Sequence, residues 1–267
     1  MKNIISFVSV KGGVGKTTLA LEVASSLVNN YKKKVLLVDA NFSAPNIGLY
    51  LDLTNDLSLH DAFIDTPLHN TIYEAHGIDI IPSSMYHKKE IDTSKLKKLL
   101  EKFRNRYDFI ILDSSPNYEE LKPVIETADK IFVVTSPDHV TLETSIKSAE
   151  LAKEQNTPIE GIIVNRIRLP SHEYNINQIE SFSDIPVVAR IKDNKTIVKS
   201  MYHKKPITIH QPNNEISLEI KRLASAISGE PEIKNSFLKR ILTNNLISKE
   251  RVNREILRQR FYTSQIK

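Results

Sequence analysis

Short apolar runs alternate with amphipathic segments along most of this chain. Each run is rich in β-branched residues and is apolar on both faces, a pattern typical of strands buried inside a parallel sheet. The predicted strands are NIISFVSV from Asn3, KVLLVD from Lys34, YDFIILD from Tyr107, KIFVVT from Lys130, GIIVN from Gly161 and IPVVARI from Ile185.

The segments between these runs have apolar residues spaced near the helical period of 3.6. Clear examples are Leu96, Leu99, Leu100 and Phe103 in one segment, and Ile216, Ile220, Leu223 and Ile227 in another. Alternation of strands and helices predicts an α/β fold of three layers, with helices on both faces of a mostly parallel sheet. Ligands of such folds bind beyond the carboxyl ends of the strands.

A helix-breaking stretch, Gly229-Glu230-Pro231-Glu232, follows the last of these amphipathic segments. Glycine favours the position just after a helix, and proline cannot continue one. We therefore predict a globular body of residues 1–230 and a helical tail of residues 231–267.

The composition of the 267-residue chain, of which 40% is hydrophobic, fits one large globular domain. The chain has no cysteine, which excludes disulfides, thiolate zinc sites and cysteine-held iron–sulfur clusters. No stretch resembles a secretory leader or is apolar for long enough to cross a bilayer. These features predict a cytoplasmic protein.

Positive charge is concentrated at the end of the chain. Residues 234–267 contain nine Lys/Arg and two Glu, a net charge of +7, whereas the whole chain carries +5, which leaves −2 for the rest. Only clustered charge produces a local field, so the tail is the basic part of the molecule.

A glycine-rich segment, GGVGKTT from Gly12 to Thr18, follows the first predicted strand and opens a predicted helix. Glycines in this context let backbone N–H groups converge on phosphate oxygens, and the helix N-terminus adds partial positive charge. We predict that Lys16 contacts the β- and γ-phosphates and that the Thr17 hydroxyl ligates Mg²⁺. The remaining phosphate-binding residues are Gly12, Gly13, Val14, Gly15 and Thr18. The alternative is a turn that binds nothing.

The strict phosphate-loop pattern has glycine where this chain has Val10, so the match is to a variant. The octet KGGVGKTT from Lys11 resembles the deviant Walker A loop of the MinD/ParA family of ATPases. This resemblance implies a P-loop NTPase fold and implies that Lys11 crosses a dimer interface to the partner's nucleotide. The alternative is a solvated lysine beside the loop.

Carboxylates follow two further predicted strands. Asp113, after FIIL, meets the need of a nucleotide site for a strand-end carboxylate that holds Mg²⁺. The stretch VDANFSAPNIG is similar to the family's first switch, which implies that Asp39 holds a metal-bound water. Asn41 stands where the family has an aspartate that orients the attacking water. An amide positions water but accepts no proton, so slow ATP hydrolysis is expected.

The pair Asn165-Arg166, at the end of another predicted strand, resembles the family's adenine-reading pair. The stretch from Ile185 to Ile207 resembles the segment that closes over the base, although Lys192 stands where proline is common. With IIPSS at Ile80 and VTSPDHV at Val134, the resemblance covers roughly residues 1–228.

The tail sequence from Ser236 to Phe261 is predicted to form an amphipathic basic helix. One side carries Leu257 and five other aliphatic residues, and the other carries Arg240, Arg251, Arg254 and Arg258. The motif FLKRIL from Phe237 is similar to the membrane-targeting end of the family's MinD branch. Three alternatives stay open for residues 233–267: binding an anionic membrane, docking on the body, and binding a partner helix.

The resemblance implies an ATPase with ATP and Mg²⁺ as cofactors. It would form a homodimer on ATP and associate peripherally with a membrane to position division machinery or other cargo, together with an activating or cargo protein. One alternative is a DNA-partitioning ATPase that contacts DNA phosphates non-specifically. The basic residues available for that are Lys95, Lys97, Lys98, Lys102, Arg104 and Arg106. Another alternative is an ATP-binding scaffold with little hydrolysis.

Overall fold

The computed structural model describes residues 3–87, 89–168 and 171–232, together with residues 254 and 257. Within these residues eight strands form one sheet in the order β3-β4-β2-β5-β1-β6-β7-β8. Neighbouring strands are parallel except β3 and β4, which are antiparallel. The strands are β1 Ile4–Val8, β2 Val35–Ala40, β3 Tyr73–Ala75, β4 Ile78–Ile81, β5 Phe109–Ser114, β6 Lys130–Thr135, β7 Ile159–Ile167 and β8 Val187–Lys192.

Helices connect the strands, and two short 3₁₀ turns lie at Leu68–Thr71 and Thr93–Lys95. The α-helices of the described residues are α1 Lys16–Tyr31, α2 Ile47–Leu51, α3 Leu59–Ile64, α4 Leu96–Glu101, α5 Tyr118–Thr127, α6 His139–Glu154, α7 Ile176–Ser183, α8 Lys195–Tyr202, α9 Ile207–His210 and α10 Glu215–Ser228. None of the helices described is long and apolar enough to span a bilayer.

Two buried apolar clusters lie on opposite faces of the sheet. In β1, for example, Ile4 and Val8 belong to one cluster, whereas Ile5 and Phe7 belong to the other. Successive side chains of a strand point to opposite faces, so a strand between two helical layers is apolar throughout. This arrangement confirms the predicted three-layer α/β fold.

The six predicted strands are β1, β2, β5, β6, β7 and β8, but the sequence interpretation missed the hairpin of β3 and β4. Its turn, His76-Gly77, has positive φ at both residues, 56° and 78°. Two left-handed residues in succession suit the tight turn between antiparallel strands, and glycine favours that conformation. The His-Gly pair before IDII was the available signal.

The last helix before the predicted boundary, α10, stops at Ser228, and Gly229 adopts a left-handed conformation with φ 72°. The predicted tail helix lies outside the described residues except at Arg254 and Leu257, both of which are helical. Leu257 is fully buried in the cluster that also contains residues of α1 and α10. The body therefore includes at least one side chain from beyond residue 230.

Candidate nucleotide-binding site

The phosphate loop joins the end of β1 to the start of α1. Gly13 and Gly15 have positive φ, 77° and 97°, and Gly15 is the residue that precedes the first turn of α1. A side chain at Gly15 would also collide with the amide nitrogen of Asn165. Glycine is therefore required at position 15, because the backbone conformation favours it and no space is left for a side chain. The N–H groups of the first turn of α1, which have no partner within the helix, lie next to the loop.

The two loop lysines differ in environment. Lys16 is buried, and its Nζ donates a hydrogen bond of 3.2 Å to the carbonyl oxygen of Lys11. Burial lowers the pKa of Lys16 to about 8, and the nearby Asp113 carboxylate opposes that fall. Lys11 is exposed, and its backbone N–H donates to the Ser9 hydroxyl. The loop thus directs one lysine inward and leaves the other at the surface.

Asp113 lies one residue before the end of β5 and is fully buried, yet neither of its carboxylate oxygens has a hydrogen-bond partner among the described residues. Burial and the neighbouring Asp39 raise the pKa of Asp113 to about 8, against the opposing effect of Thr17 and Lys16. A buried carboxylate without partners is costly unless a ligand satisfies it. Carboxylate and hydroxyl oxygens are ligands that Mg²⁺ prefers, so Asp113 and Thr17 fit that ion.

Asp39 lies opposite Asp113 in the register of β2 with β5. One of its oxygens accepts from the N–H of Asn41 at 3.2 Å, and the other accepts from the N–H groups of Asn46 and Ile47, both at 3.0 Å. Burial raises the pKa of Asp39 to about 6, and these three donors restrain the rise. In this structure the Asp39 carboxylate holds the loop of residues 41–47.

Asn41 lies in that loop with its side chain buried. Its Nδ2 donates to the carbonyl oxygen of Ala44 at 2.6 Å, whereas its Oδ1 has no hydrogen-bond partner among the described residues. The amide group is thus fixed in orientation by one hydrogen bond, and its acceptor oxygen is left for a ligand or water.

The two residues predicted to read adenine lie against the phosphate loop. Asn165 Nδ2 donates to the carbonyl oxygen of Val14 at 2.8 Å. Arg166 has a left-handed backbone, φ 58°, and its guanidinium group lies beside Gly13. The ends of β1 and β7 are therefore tied together at the loop.

A cleft of about 360 Å³ lies at the carboxyl end of the sheet, in front of the phosphate loop. Nine predicted site residues line it: Gly12, Gly13, Gly15, Lys16, Thr17, Thr18, Asn41, Asn165 and Arg166. Lys11, Val14, Asp39 and Asp113 do not line it, and the last two lie behind its wall, fully buried.

The cleft has further lining residues that the sequence interpretation did not assign as site residues. They come from α2 and the loop before it, from the end of β5 and the loop after it, and from β8, α8 and the two residues between them: Ala44, Asn46, Tyr50, Ser114, Pro116, Lys192, Asp193, Asn194, Ile197, Val198 and Met201. The resemblance of the stretch from Ile185 to the base-covering segment was the signal for the β8 and α8 residues. No sequence pattern marked Tyr50.

Comparison with known proteins identifies the family. A family model described as an AAA domain matches residues 2–159, which is more than half of the chain. An uncharacterized ATP-binding protein of Methanocaldococcus jannaschii is 26% identical over 254 residues, covering 92% of this chain and 95% of that protein.

Two solved structures share the fold over most of the chain. The septum site-determining protein MinD of Pyrococcus horikoshii, complexed with Mg-ADP, is 25% identical with a TM-score of 0.79, covering 90% of this chain and 98% of that one. A ParA family ATPase of Chlorobium tepidum is 27% identical with a TM-score of 0.73, covering 84% of this chain and 99% of that one. With the phosphate loop and strand-end carboxylates in place, the chain belongs to the MinD/ParA family of nucleotide-binding, cell-division and partition ATPases, whose cofactors are ATP and Mg²⁺.

Proposed function

We propose that this protein is an ATP-dependent switch that dimerises on ATP–Mg²⁺ and associates reversibly with an anionic membrane surface on the cytoplasmic side. The observation that carries the proposal is the buried Asp113 carboxylate near Lys16 at the phosphate loop, whose oxygens have no hydrogen-bond partner in the described part of the chain. Such a group is satisfied by the cation that accompanies a triphosphate.

The phosphate end of the site uses the loop amides and Lys16 for the β- and γ-phosphates. Thr17 and Asp113 would hold Mg²⁺, and the ion would neutralise charge on the transferring phosphate. Because Lys16 is buried, its ammonium group acts in a medium of low polarity, where its attraction to phosphate is strong. When the nucleotide binds, the Lys16 ammonium group would give up its hydrogen bond to the Lys11 carbonyl oxygen and donate to a phosphate oxygen instead.

Water for hydrolysis is positioned by the loop that Asp39 holds. Asn41 offers its free Oδ1 as an acceptor to that water, but an amide does not take up the proton. Phosphoryl transfer depends mostly on positioning and charge neutralisation, so turnover persists at a low rate.

Recognition of the base is assigned to Asn165 and Arg166. Asn165 Nδ2 donates to the carbonyl oxygen of Val14, and its Oδ1, the acceptor of the amide group, would accept a hydrogen bond from the exocyclic amine of adenine. The contact of Asn165 with the phosphate loop would then couple base binding to the phosphate end of the site.

Dimerisation is supported by the surface around the cleft. Lys11 is exposed on the phosphate loop, and three large apolar side chains project to solvent from α2 and α8, the helices at the cleft mouth. Leu49 is 61% exposed, Val198 67% and Tyr202 83%. Exposed apolar groups beside a charged site are typical of an interface. We propose that Lys11 reaches the partner's phosphates across it.

Membrane association rests on the charge of the tail and on dimerisation. We keep the division into a body of residues 1–230 and a tail of residues 231–267, with the tail carrying the basic surplus. One weakly bound amphipathic segment associates reversibly, whereas two presented by a dimer bind much more strongly through effective concentration. ATP would thus control the location of the protein, and a cargo or activating protein would follow it.

The test is co-sedimentation with vesicles of phosphatidylcholine and phosphatidylglycerol, using a non-hydrolysable ATP analogue or ADP. We expect wild-type protein to dimerise and sediment with the analogue only, and Lys11→Ala to remain monomeric. Lys153→Ala, which removes an equivalent exposed charge from α6, is the matched control. Unchanged dimerisation of K11A, measured by light scattering, would contradict the switch.

A second candidate is non-specific DNA binding, favoured by the exposed basic residues of the α4 region. Lys95, Lys97, Lys98, Lys102 and Arg106 are exposed there, but Arg104 is not available, because it pairs with Glu101 and Asp129. Salt-sensitive DNA binding by the ATP form, without vesicle binding, would establish this alternative. The third candidate, a scaffold, predicts no phosphate release with or without vesicles.

A further inference from the structure

We propose that the chain's own C-terminal segment docks, through Arg254 and Leu257, on the rim of the body formed by β8 and α10, and that this docking competes with membrane binding. The docking is inferred from the contacts that the described residues make. The competition between docking and membrane binding depends also on the membrane association proposed above.

Leu257 is the apolar half of the contact. Its side chain has 0% exposure and lies in the same buried cluster as Val188 and Ile191 of β8 and Ile220 and Leu223 of α10. A leucine removed entirely from water is an integral part of a core and not a group resting on its surface. Leu257 thus occupies a fitted site of the body.

Arg254 is the polar half of the contact. Its Nε donates to the carbonyl oxygen of Val188 at 2.9 Å, and its guanidinium group pairs with Glu219 of α10. The two paired side chains are only 17% and 13% exposed, so water screens their attraction little. Glu219 also accepts from the backbone N–H of Arg190 at 3.1 Å, which links the tail contact to β8 by a second route.

The position of β8 explains why this rim accepts a segment of chain. β8 is the last strand of the sheet on that side, with β7 as its neighbour among the described strands. Carbonyl groups on the outer side of an edge strand have no ladder partner. The Arg254 Nε–H satisfies one such carbonyl, while Leu257 covers the apolar surface between β8 and α10.

Docking and membrane binding require the same groups. The sequence places Leu257 on the apolar side of the tail helix, the side that would enter a bilayer. A side chain that is fully buried in the body cannot also lie among lipid chains, and a guanidinium group that pairs with Glu219 is not free for a lipid phosphate. In the docked state, therefore, part of the tail surface that would bind lipid is covered by the body.

Glu219→Gln is the variant that tests this idea, because it changes the body and leaves the tail sequence intact. Glutamine keeps an oxygen for the Arg190 N–H and removes the charge that holds Arg254. Glu230→Gln is the matched control, since it removes the same charge at an ion pair with Lys33 that does not involve Arg254. Thermal unfolding establishes that both variants are folded.

Two measurements separate docking from competition. The first is the rate of trypsin cleavage after Arg254 without lipid, followed by mass spectrometry. We expect E219Q to be cleaved roughly threefold to tenfold faster than wild type or E230Q, because a charge-assisted hydrogen bond is lost. The second is sedimentation of the ADP form with the anionic vesicles described above, where we expect a similar increase for E219Q.

Each outcome has a distinct meaning. Equal cleavage of E219Q and E230Q would overturn the docking. Faster cleavage of E219Q without any gain in vesicle binding, when wild-type protein with the ATP analogue does bind, would overturn the competition. Faster cleavage when no form of the protein binds vesicles would support the docking and overturn the proposed membrane function.

Discussion

Asp39 and Asp113 lie at the same level on adjacent strands, β2 and β5, and both are completely buried. The Asp39 carboxylate accepts three backbone N–H groups of its own loop, whereas the Asp113 carboxylate accepts no hydrogen bond from the residues that the structure describes. Two aspartates at the same level of the sheet therefore have different roles. One carboxylate stabilises a loop, and the other keeps its oxygens for a ligand.

The difference is also visible in protonation. The pKa of Asp39 is raised to about 6, and that of Asp113 to about 8. Burial is the main cause at both sites, but the Asp39 charge adds to the rise at Asp113, whereas three backbone N–H groups restrain the rise at Asp39. A carboxylate kept in so unfavourable an environment marks a functional site, because folding alone would select a partner or a neutral residue.

The largest expected effect follows from Asp113→Asn. We expect Mg²⁺-dependent ATP hydrolysis to fall by about a hundredfold or more, as when a charge-stabilising group is lost from an active site. The unfolding midpoint should stay the same or rise, because asparagine replaces a buried carboxyl group whose oxygens have no hydrogen-bond partner among the described residues. Phosphate release and thermal unfolding measure the two effects. A large loss of stability in D113N would show that Asp113 has a structural role like that of Asp39.

Asp39→Ala should behave in the opposite way. It leaves three N–H groups of the loop without their acceptor, so we expect the free energy of unfolding to fall by about 3 kcal/mol. Denaturation in urea measures this loss. Ser83→Ala is the control, since it removes a single hydrogen bond, to the Asp39 carbonyl oxygen at 2.7 Å, and should cost about 1 kcal/mol. Equal losses in the two variants would contradict the assigned role of Asp39.

The pH dependence of Mg²⁺ binding tests the same contrast in the intact protein. The pKa of Asp113 is about 8, and a cation must displace the proton bound below that pH. We therefore expect the affinity for Mg²⁺ in the presence of nucleotide to fall by about tenfold for each pH unit below the pKa. Calorimetric titrations at pH values on both sides of it measure the slope. A flat profile would mean that Asp113 is already ionised in the metal-free protein.

Asn41 is expected to give the smallest effect. Asn41→Asp supplies the acceptor for a proton that the amide lacks, so the turnover of ATP should rise by about threefold to tenfold. Asn41→Ala, which removes both the amide and its bond to Ala44, should lower turnover instead. Single-turnover phosphate release measures both variants. A slower N41D enzyme would indicate that a third carboxylate near Asp39 and Asp113 raises their pKa values further.

The fold was largely predictable because a sheet covered on both faces requires unbroken apolar strands, and six such strands are plain in the sequence. The hairpin of β3 and β4 was missed because Tyr73–Ala75 is short and only partly buried. An apolar pattern is weak in a strand of that kind.

The candidate site was predictable where it depends on spacing along the chain, as for Lys16 and Asp113. The N–H groups of Asn46 and Ile47 reach Asp39 only because of the path of their loop, and the contact of Asn165 with Val14 joins residues 151 positions apart. Loop path and long-range contact leave no local signal in a sequence.

The rims of the sheet carry a practical consequence for handling the protein. At one rim lies β3, which has three residues, and at the other lies β8, whose Val188 carbonyl is covered by Arg254. A chain cut before Arg254 would retain its nucleotide cleft but expose that rim as a template for strands of other molecules. Shortened versions would then precipitate by joining sheet to sheet, and their poor solubility would be mistaken for misfolding.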